Sequence, residues 1–261
     1  MDTLYHIGFG SSDLGGAGQQ PTTALLSGDP GRARHIAETQ LTDVRVLSEN
    51  RGLNSYVGYL PTGEPLLSCT SGMGGPSLSI ILNELVQVGV ETVVRVGTSG
   101  SIQDHVRGGS VVISSGALCR QGAAHDVAPR DYPAVANPFL TVRLAETAER
   151  LGVEHHVGLT ASVDTFYEGQ GRTEGANAHL LRKHEGVIEE YRALNILNFE
   201  MEAGTLFKLA SVYGIRAACI CAVIAQRGDS EAIITERKDA AVDNAIRVAV
   251  FALSQLDDRP G

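Results

Sequence analysis

Two arginines stand where the chain could meet a small anion. Arg95 lies inside the apolar run Val93-Val94-Arg95-Val96 and is followed by Gly97-Thr98-Ser99-Gly100. Burying a guanidinium is costly unless a counter-charge meets it. The stretch that follows offers hydroxyls and backbone donors, which suits a small oxyanion; an arginine bridging to a structural carboxylate is the competing account. GxGxxG is absent, so a dinucleotide site is not the first reading. Gly28-Asp29-Pro30-Gly31-Arg32 closes the first strong strand and opens a helix. A helix N-terminus favours anions and Arg32 adds a fork of donors. By itself that string fits a turn with a solvent-facing arginine equally well.

Two further segments carry different chemistry. Phe166-Tyr167-Glu168-Gly169-Gln170-Gly171-Arg172 follows a strand ending Ser162-Val163-Asp164. A ring face from Phe166, an amide from Gln170 and a donor fork from Arg172 can read a planar heterocycle with carbonyl and imide groups, although a polar surface loop has the same composition. Asn198-Phe199-Glu200-Met201-Glu202 sets two carboxylates two residues apart at a strand end. In an extended chain they share a face, opposite Met201. A carboxylate there can accept from both hydroxyls of a cis-diol. An acid/base pair or an ordinary acidic helix start are the alternatives. The sequence contains no GxSxG, HExxH or Walker A motif. His125-Asp126 reads as a loop pair rather than a base, and His155-His156 as packing at a strand entrance.

These side chains need a scaffold. Strands are expected at Thr23–Leu26, Asp43–Leu47, Ser55–Leu60, Leu66–Thr70, Thr92–Val96, Ser110–Ser114, His156–Ala161, Ile196–Phe199 and Ala217–Ile224, with a hairpin turn over Pro61–Pro65. A helix opens at Pro76, presents Leu78, Ile81, Leu82 and Leu85 on one face, and ends at Gly89. Others are expected at Pro138–Leu151, Leu180–Leu194, Glu202–Tyr213 and Lys238–Leu256. Strands separated by helices predict an α/β fold, a mixed, largely parallel sheet with helices on both faces. Gly28, Gly72, Gly97 and Gly100 are read as strand-end glycines, where ligands gather in such sheets.

The bulk properties narrow the function. The chain has 261 residues and a formal net charge of −9, without a basic run, so nucleic acid is not an expected partner. No apolar stretch is long enough for a bilayer and no signal peptide is expected. Cys69, Cys119, Cys219 and Cys221 lack metal-ligand spacing and are read as buried thiols suited to the cytoplasm; Cys219 and Cys221 fall on one strand face. Nothing divides the chain, so residues 1–261 are expected to form one domain.

Taken together, the segments containing Gly28 to Arg32, Ser71-Gly72-Met73-Gly74-Gly75-Pro76-Ser77, Arg95 to Gly100, Asp164 to Arg172, Asn198 to Glu202 and Ala222 to Arg227 occur in the order and spacing of the nucleoside phosphorylase-I family, which the chain resembles over nearly its whole length. The resemblance implies a three-layer α/β/α fold with a partly barrel-like mixed sheet, assembled as a homohexamer, a trimer of dimers. It implies a pentosyltransferase in which inorganic phosphate is co-substrate and no cofactor or metal is needed. Phosphate would be held by Gly28, Arg32, Arg95 and Thr98, with Arg51 from the neighbouring subunit. Ribose would be held by Met201 and Glu202, with His6 donated across the dimer. The base would meet Phe166, Gln170 and Arg172, with Arg227 acting through water. Arg95, Glu202, Gln170 and Arg172 would then carry catalysis. Purine-specific relatives place an aspartate where this chain has Gln226-Arg227, with Asp229 displaced, so a pyrimidine nucleoside, uridine first, is expected; a purine nucleoside phosphorylase or a nucleosidase is the alternative. Gly52 stands where some relatives carry a glutamate that helps bind a monovalent cation between subunits, so no such cation is expected.

Overall fold

The computed structural model describes residues 3–15, 19–227, 231–233 and 235–255. Ten strands form one mixed sheet: β1 (Thr23–Ser27), β2 (Thr42–Ser48), β3 (Ser55–Tyr59), β4 (Pro65–Thr70), β5 (Thr92–Ser101), β6 (Val111–Arg120), β7 (His155–Val163), β8 (Ile196–Glu200), β9 (Arg216–Arg227) and β10 (Glu231–Ile233). Their order is β10-β9-β6-β7-β8-β5-β1-β4-β3-β2, and β5 also pairs with β9. That extra pairing closes β9, β6, β7, β8 and β5 into a five-stranded barrel. The expected three-layer α/β/α architecture is present, with α1 (Pro30–Gln40), α2 (Gly75–Gln87), α3 (Gly122–His125), α4 (Pro138–Arg150), α5 (Val187–Ala193), α6 (Ala203–Tyr213) and α7 (Thr235–Leu253) around the sheet.

Two apolar clusters hold the layers together. One face packs Leu78, Ile81 and Leu82 of α2 and Leu206 and Phe207 of α6 against Ala24, Leu26, Val93 and Cys219. The other packs Leu140 and Leu144 of α4 and Ile246 and Val250 of α7 against Val94, Val96, Ile113 and Ile220. Burial of such side chains is the main stabilising term of the fold. Local capping fixes where helices begin. The Asp29 carboxylate accepts from the Gly31 amide at 2.8 Å ahead of Pro30, and the Asn137 side chain accepts from Phe139 and Leu140 at 3.1 Å ahead of Pro138.

Several expectations need correction. The strand of Arg95 does not end at Val96: β5 runs on through Gly97 and Gly100 to Ser101, because β9 pairs with it along its whole length and β8 takes up its far end. Gly97 and Gly100 are therefore strand residues rather than turn residues. β6 likewise extends six residues beyond Ser114, as far as Arg120, alongside β7. The helix expected over Leu180–Leu194 is divided; a short 3-10 turn covers Arg182–His184, and Gly186 at φ +68° interrupts the chain before α5. The C-terminal helix begins earlier than expected, at Thr235, and Leu256 lies outside the described residues. Among the described residues, no helix is long and apolar enough to cross a membrane.

Candidate active site

Arg95 is the centre of the site. It projects from β5 and is 4% exposed. Its Nη2 donates to Glu202, and its Nη1 lies 3.7 Å from Glu200 and 3.4 Å from the Cys221 sulfur. Burial works against the charge, but Glu202, then the thiols of Cys221 and Cys219, then Glu200, outweigh it and hold the guanidinium protonated well beyond its usual range. The carboxylate partners thus answer the burial cost that the sequence raised. They also bring the two expected half-sites, anion and diol, into direct contact.

The carboxylates are held by the start of α6. Glu200, the last residue of β8, accepts from the amides of Glu202 and Ala203 at 2.8 Å and from the hydroxyl of Ser162. Ser162 accepts from Gly204 at 2.8 Å, and the Gln121 carbonyl accepts from the Thr205 amide at 2.8 Å and its hydroxyl at 2.9 Å. The free N–H groups of the first helical turn are met from β8, β7 and the end of β6, because Glu202 at the N-cap position gives no side-chain cap of its own. That leaves the Glu202 carboxylate for Arg95 and for the Gly74 amide, which donates to it at 2.6 Å. The Gln121 amide also donates to the Met201 carbonyl, fixing the short link between strand and helix. Burial drives the Glu200 carboxyl above its usual range, opposed by Arg95 and reinforced by Glu202. Glu200 is therefore a structural partner of Arg95 and α6, while Glu202 meets Arg95 and the Gly74 amide.

Arg32 joins this centre from α1. Its Nη1 donates to the Val96 carbonyl at 3.4 Å, so its guanidinium is drawn to β5. Burial, and then the positive charge of Arg95, lowers its pKa. Two guanidiniums thus repel each other near Val96, an arrangement chemically suited to a small anion. Gly28 lies so close to the Gly72 carbonyl that a Cβ there would meet it at 3.3 Å.

The heterocycle set assembles at the far end of β5. Gln170 and Arg172 lie on the 3-10 turn Glu168–Gln170 and the left-handed Gly171 that follows it, and both are buried. Arg227, the last residue of β9, donates through Nη1 to the Gln170 backbone carbonyl at 2.7 Å and to its side-chain oxygen at 3.5 Å. Arg172 stacks over the Phe166 ring, 4.1 Å from its centre. Phe166 is 47% exposed, leaving part of the ring accessible to a flat partner. The Arg227 side chain passes over Gly100, where a Cβ would meet its Cδ at 3.4 Å. Arg95 and Gly100 are five residues apart on β5, roughly 16 Å of extended strand, a span suited to an anion, a sugar and a base in line.

His6 and Arg51 stand apart from both sets. The His6 imidazole is held by Glu84 at 2.6 Å, and the Asn50 amide donates to the carbonyls of Tyr5 and His6 at 2.9 and 3.0 Å. Arg51 lies over the Tyr5 ring, which is 73% exposed. Among the described residues, neither makes a hydrogen bond or ion pair with Arg32, Arg95 or Glu202. The sequence analysis missed Gln121, Ser162, Gly74 and Cys221, whose contacts span between 42 and 128 residues and leave no local pattern. His155 and His156 pack as expected; His155 bonds the Val153 carbonyl at 3.0 Å and the His156 ring meets that of His105 at 5.6 Å. Among the described residues, no group of three or more His, Cys, Asp or Glu side chains could hold a metal ion.

Residues 22–256 match the Phosphorylase superfamily. The chain belongs to that superfamily. Among its relatives are the uridine phosphorylase of Haemophilus influenzae, 39% identical over 97% of this chain and 100% of the relative, and that of Escherichia coli, 36% identical over 97% and 98%. A guanosine phosphorylase of Halorubrum lacusprofundi is 33% identical over 89% of this chain and 93% of the relative.

Proposed function

We propose that this protein cleaves uridine with inorganic phosphate, giving uracil and ribose-1-phosphate. The convergence of Arg32 and Arg95 on β5, with Glu202 beside them, is the observation that carries the reading. The uridine phosphorylases of two bacteria, alike over nearly their whole length, support the pyrimidine assignment.

Phosphate gathered by Arg32, Arg95, Thr98 and the Gly28 turn sits beneath C1′ as the nucleophile. One of its oxygens bonds to C1′ as the C1′–N1 bond breaks, and the electron pair of that bond leaves on the uracil. Positive charge builds on the sugar and negative charge on the base. Glu202 accepts from the 2′- and 3′-hydroxyls and places a carboxylate near the developing cation, alongside Met201. Gln170 and Arg172, backed by Arg227, stabilise the departing anion, with Phe166 against the ring. Preorganised groups of this kind each contribute about 3 kcal/mol to the barrier. The purine alternative would need a proton donor for the base near Gln226; Arg227 is engaged with Gln170, and Asp229 lies outside the described residues.

The same reading makes the protein a cytoplasmic homohexamer, a trimer of dimers, without cofactor or monovalent cation. Support for shared sites comes from His6 and Arg51, tied together on an exposed edge, and from β2, whose Val44 and Val46 face outward. A second copy would cover that edge and receive both residues. The test is a nucleoside panel run with and without phosphate, with both products identified. Uridine consumption that yields ribose-1-phosphate only when phosphate is present is expected; ribose as the product would mean a nucleosidase instead.

A further inference from the structure

We propose that Cys221, with Cys219 behind it, is the positioning residue that seats Arg95 for phosphate, an inference that rests on the phosphate assignment above. The Arg95 guanidinium meets protein through two of its three nitrogens; Nη2 reaches Glu202, while Nε has no hydrogen-bond partner among the described residues. When Glu202 turns to the sugar hydroxyls, Nη2 loses its hold. What remains is Nη1, which points at the Cys221 sulfur at 3.4 Å and the Cys219 sulfur at 3.8 Å, with Glu200 at 3.7 Å.

The geometry of this seat follows from strand registry. Arg95 pairs with Cys219 and Gly97 with Cys221 across the parallel β5–β9 ladder, so alternation sets both sulfurs beside the guanidinium. The two sulfurs are 3.7 Å apart and fully buried. On the other side the backbone of Gly97 closes the slot: a Cβ there would meet Arg95 Nη1 at 1.9 Å and the Cys221 sulfur at 2.9 Å. Gly97 is there for lack of volume.

A thiol suits this position better than the alternatives. A third carboxylate would neutralise the arginine and repel a phosphate dianion; an alkyl group would leave Nη1 without that acceptor in a buried site. A sulfur accepting from Arg95, and receiving the Cys219 S–H in turn, fixes orientation with little added charge. The Cys219 hydrogen bond, helped by Arg95 and opposed by burial, lowers the Cys221 thiol below its usual range, and that same bond raises Cys219.

The experiment measures KM for phosphate and for uridine separately, with kcat and thermal midpoint, in Cys221→Ala, Cys221→Ser and Cys69→Ala. Cys69 is an equally buried thiol outside the site and reports the effect of losing any core sulfur. Cys221→Ala is expected to raise the phosphate KM roughly ten-fold, leaving the uridine KM within about two-fold. Cys221→Ser, which keeps an acceptor, is expected to recover most of that loss, and Cys69→Ala to leave the phosphate KM unchanged. A phosphate KM unmoved in Cys221→Ala, a parallel rise in the uridine KM, or a serine variant as impaired as the alanine one would each overturn the seat. A wild-type enzyme indifferent to phosphate would overturn the phosphorolysis reading itself, a result visible before any variant is made.

Discussion

The Arg95 guanidinium closes on the Glu202 carboxylate, although one is assigned to phosphate and the other to ribose. Glu200 stands behind the same arginine at 3.7 Å. Removing Arg95 alone therefore leaves two buried carboxylates without their cation. Arg95→Met alone is expected to destabilise the protein by about 3 kcal/mol or more, and Arg95→Met with Glu202→Gln by clearly less than the two single changes summed, because the double change removes charge on both sides. The phosphate requirement of Arg95→Ala should rise about a hundred-fold or more. Urea unfolding and phosphate titration of the single and double variants check both; additive stabilities would show that the pair is not coupled.

Gly97 tests the seat of Arg95 from the backbone side. A Cβ there would strike the far end of the Arg95 side chain at 1.9 Å and the Cys221 sulfur at 2.9 Å, so the guanidinium would have to leave its seat. Gly97→Ala should lose phosphate binding by roughly the same factor as Arg95→Ala and lower the thermal midpoint by several degrees, because the displaced guanidinium no longer meets Glu202 and Glu200. A variant that binds phosphate normally would mean that Arg95 has room the structure does not show.

Arg95 was legible in the sequence because a charge inside an apolar run demands an explanation. Glu202, Gln170 and Arg172 stood out for a similar reason, as polar groups clustered near strand ends, and the structure buries all three. The course of β5 was not. Gly97-Thr98-Ser99-Gly100 has the composition of a turn, and only pairing with β9, more than a hundred residues later, makes it a strand. The barrel closure, the capping of α6 by Gln121 and Ser162, and the thiol contact to Arg95 share that origin. Each joins segments whose meeting is fixed by topology, which local periodicity does not encode. Gly186 was misread for the opposite reason: a helical pattern continued across it, and its left-handed backbone ended the pattern.

Base recognition should separate from phosphate recognition. Gln170 and Arg172 sit on a turn at the far end of β5, and Arg227 is bonded to Gln170 rather than to the arginine pair. Arg172→Ala is expected to lower kcat/KM for uridine about a hundred-fold while shifting the phosphate KM less than about three-fold. Any purine nucleoside that is turned over at all should be affected far less. Equal losses on both bases would remove the base-reading assignment.

Stability should fall on mild acidification through His156. Its Nε2 is buried without a hydrogen-bond partner among the described residues, and burial first, then the neighbouring His105, depress its pKa, with Glu154 opposing. Between that depressed value and the unfolded value of about 6.5 the unfolded chain holds more protons. The contribution is present above that pH and is lost as pH drops through the folded pKa. His156→Leu should flatten the dependence of the urea midpoint as pH falls below about 6.5, relative to wild type. An unchanged slope would place the acid sensitivity elsewhere.

Shared sites make a mixing experiment decisive. Arg51 is exposed beside Tyr5, joined to His6 through Asn50, and in one chain it reaches neither Arg32 nor Arg95. If a second copy supplies it, Arg51→Ala and Arg95→Ala should each be nearly inactive alone, for defects in opposite halves of one composite site. Unfolded together and refolded, the two variants would form mixed pairs. In each, one site combines the intact Arg95 of one subunit with the intact Arg51 of its partner, and the other site lacks both. Random pairing restores about a quarter of the wild-type sites, and activity should return in that proportion. Mixing without subunit exchange should restore nothing, which controls for contaminating wild-type enzyme. No recovery after exchange would mean that Arg51 serves its own chain or does not touch phosphate.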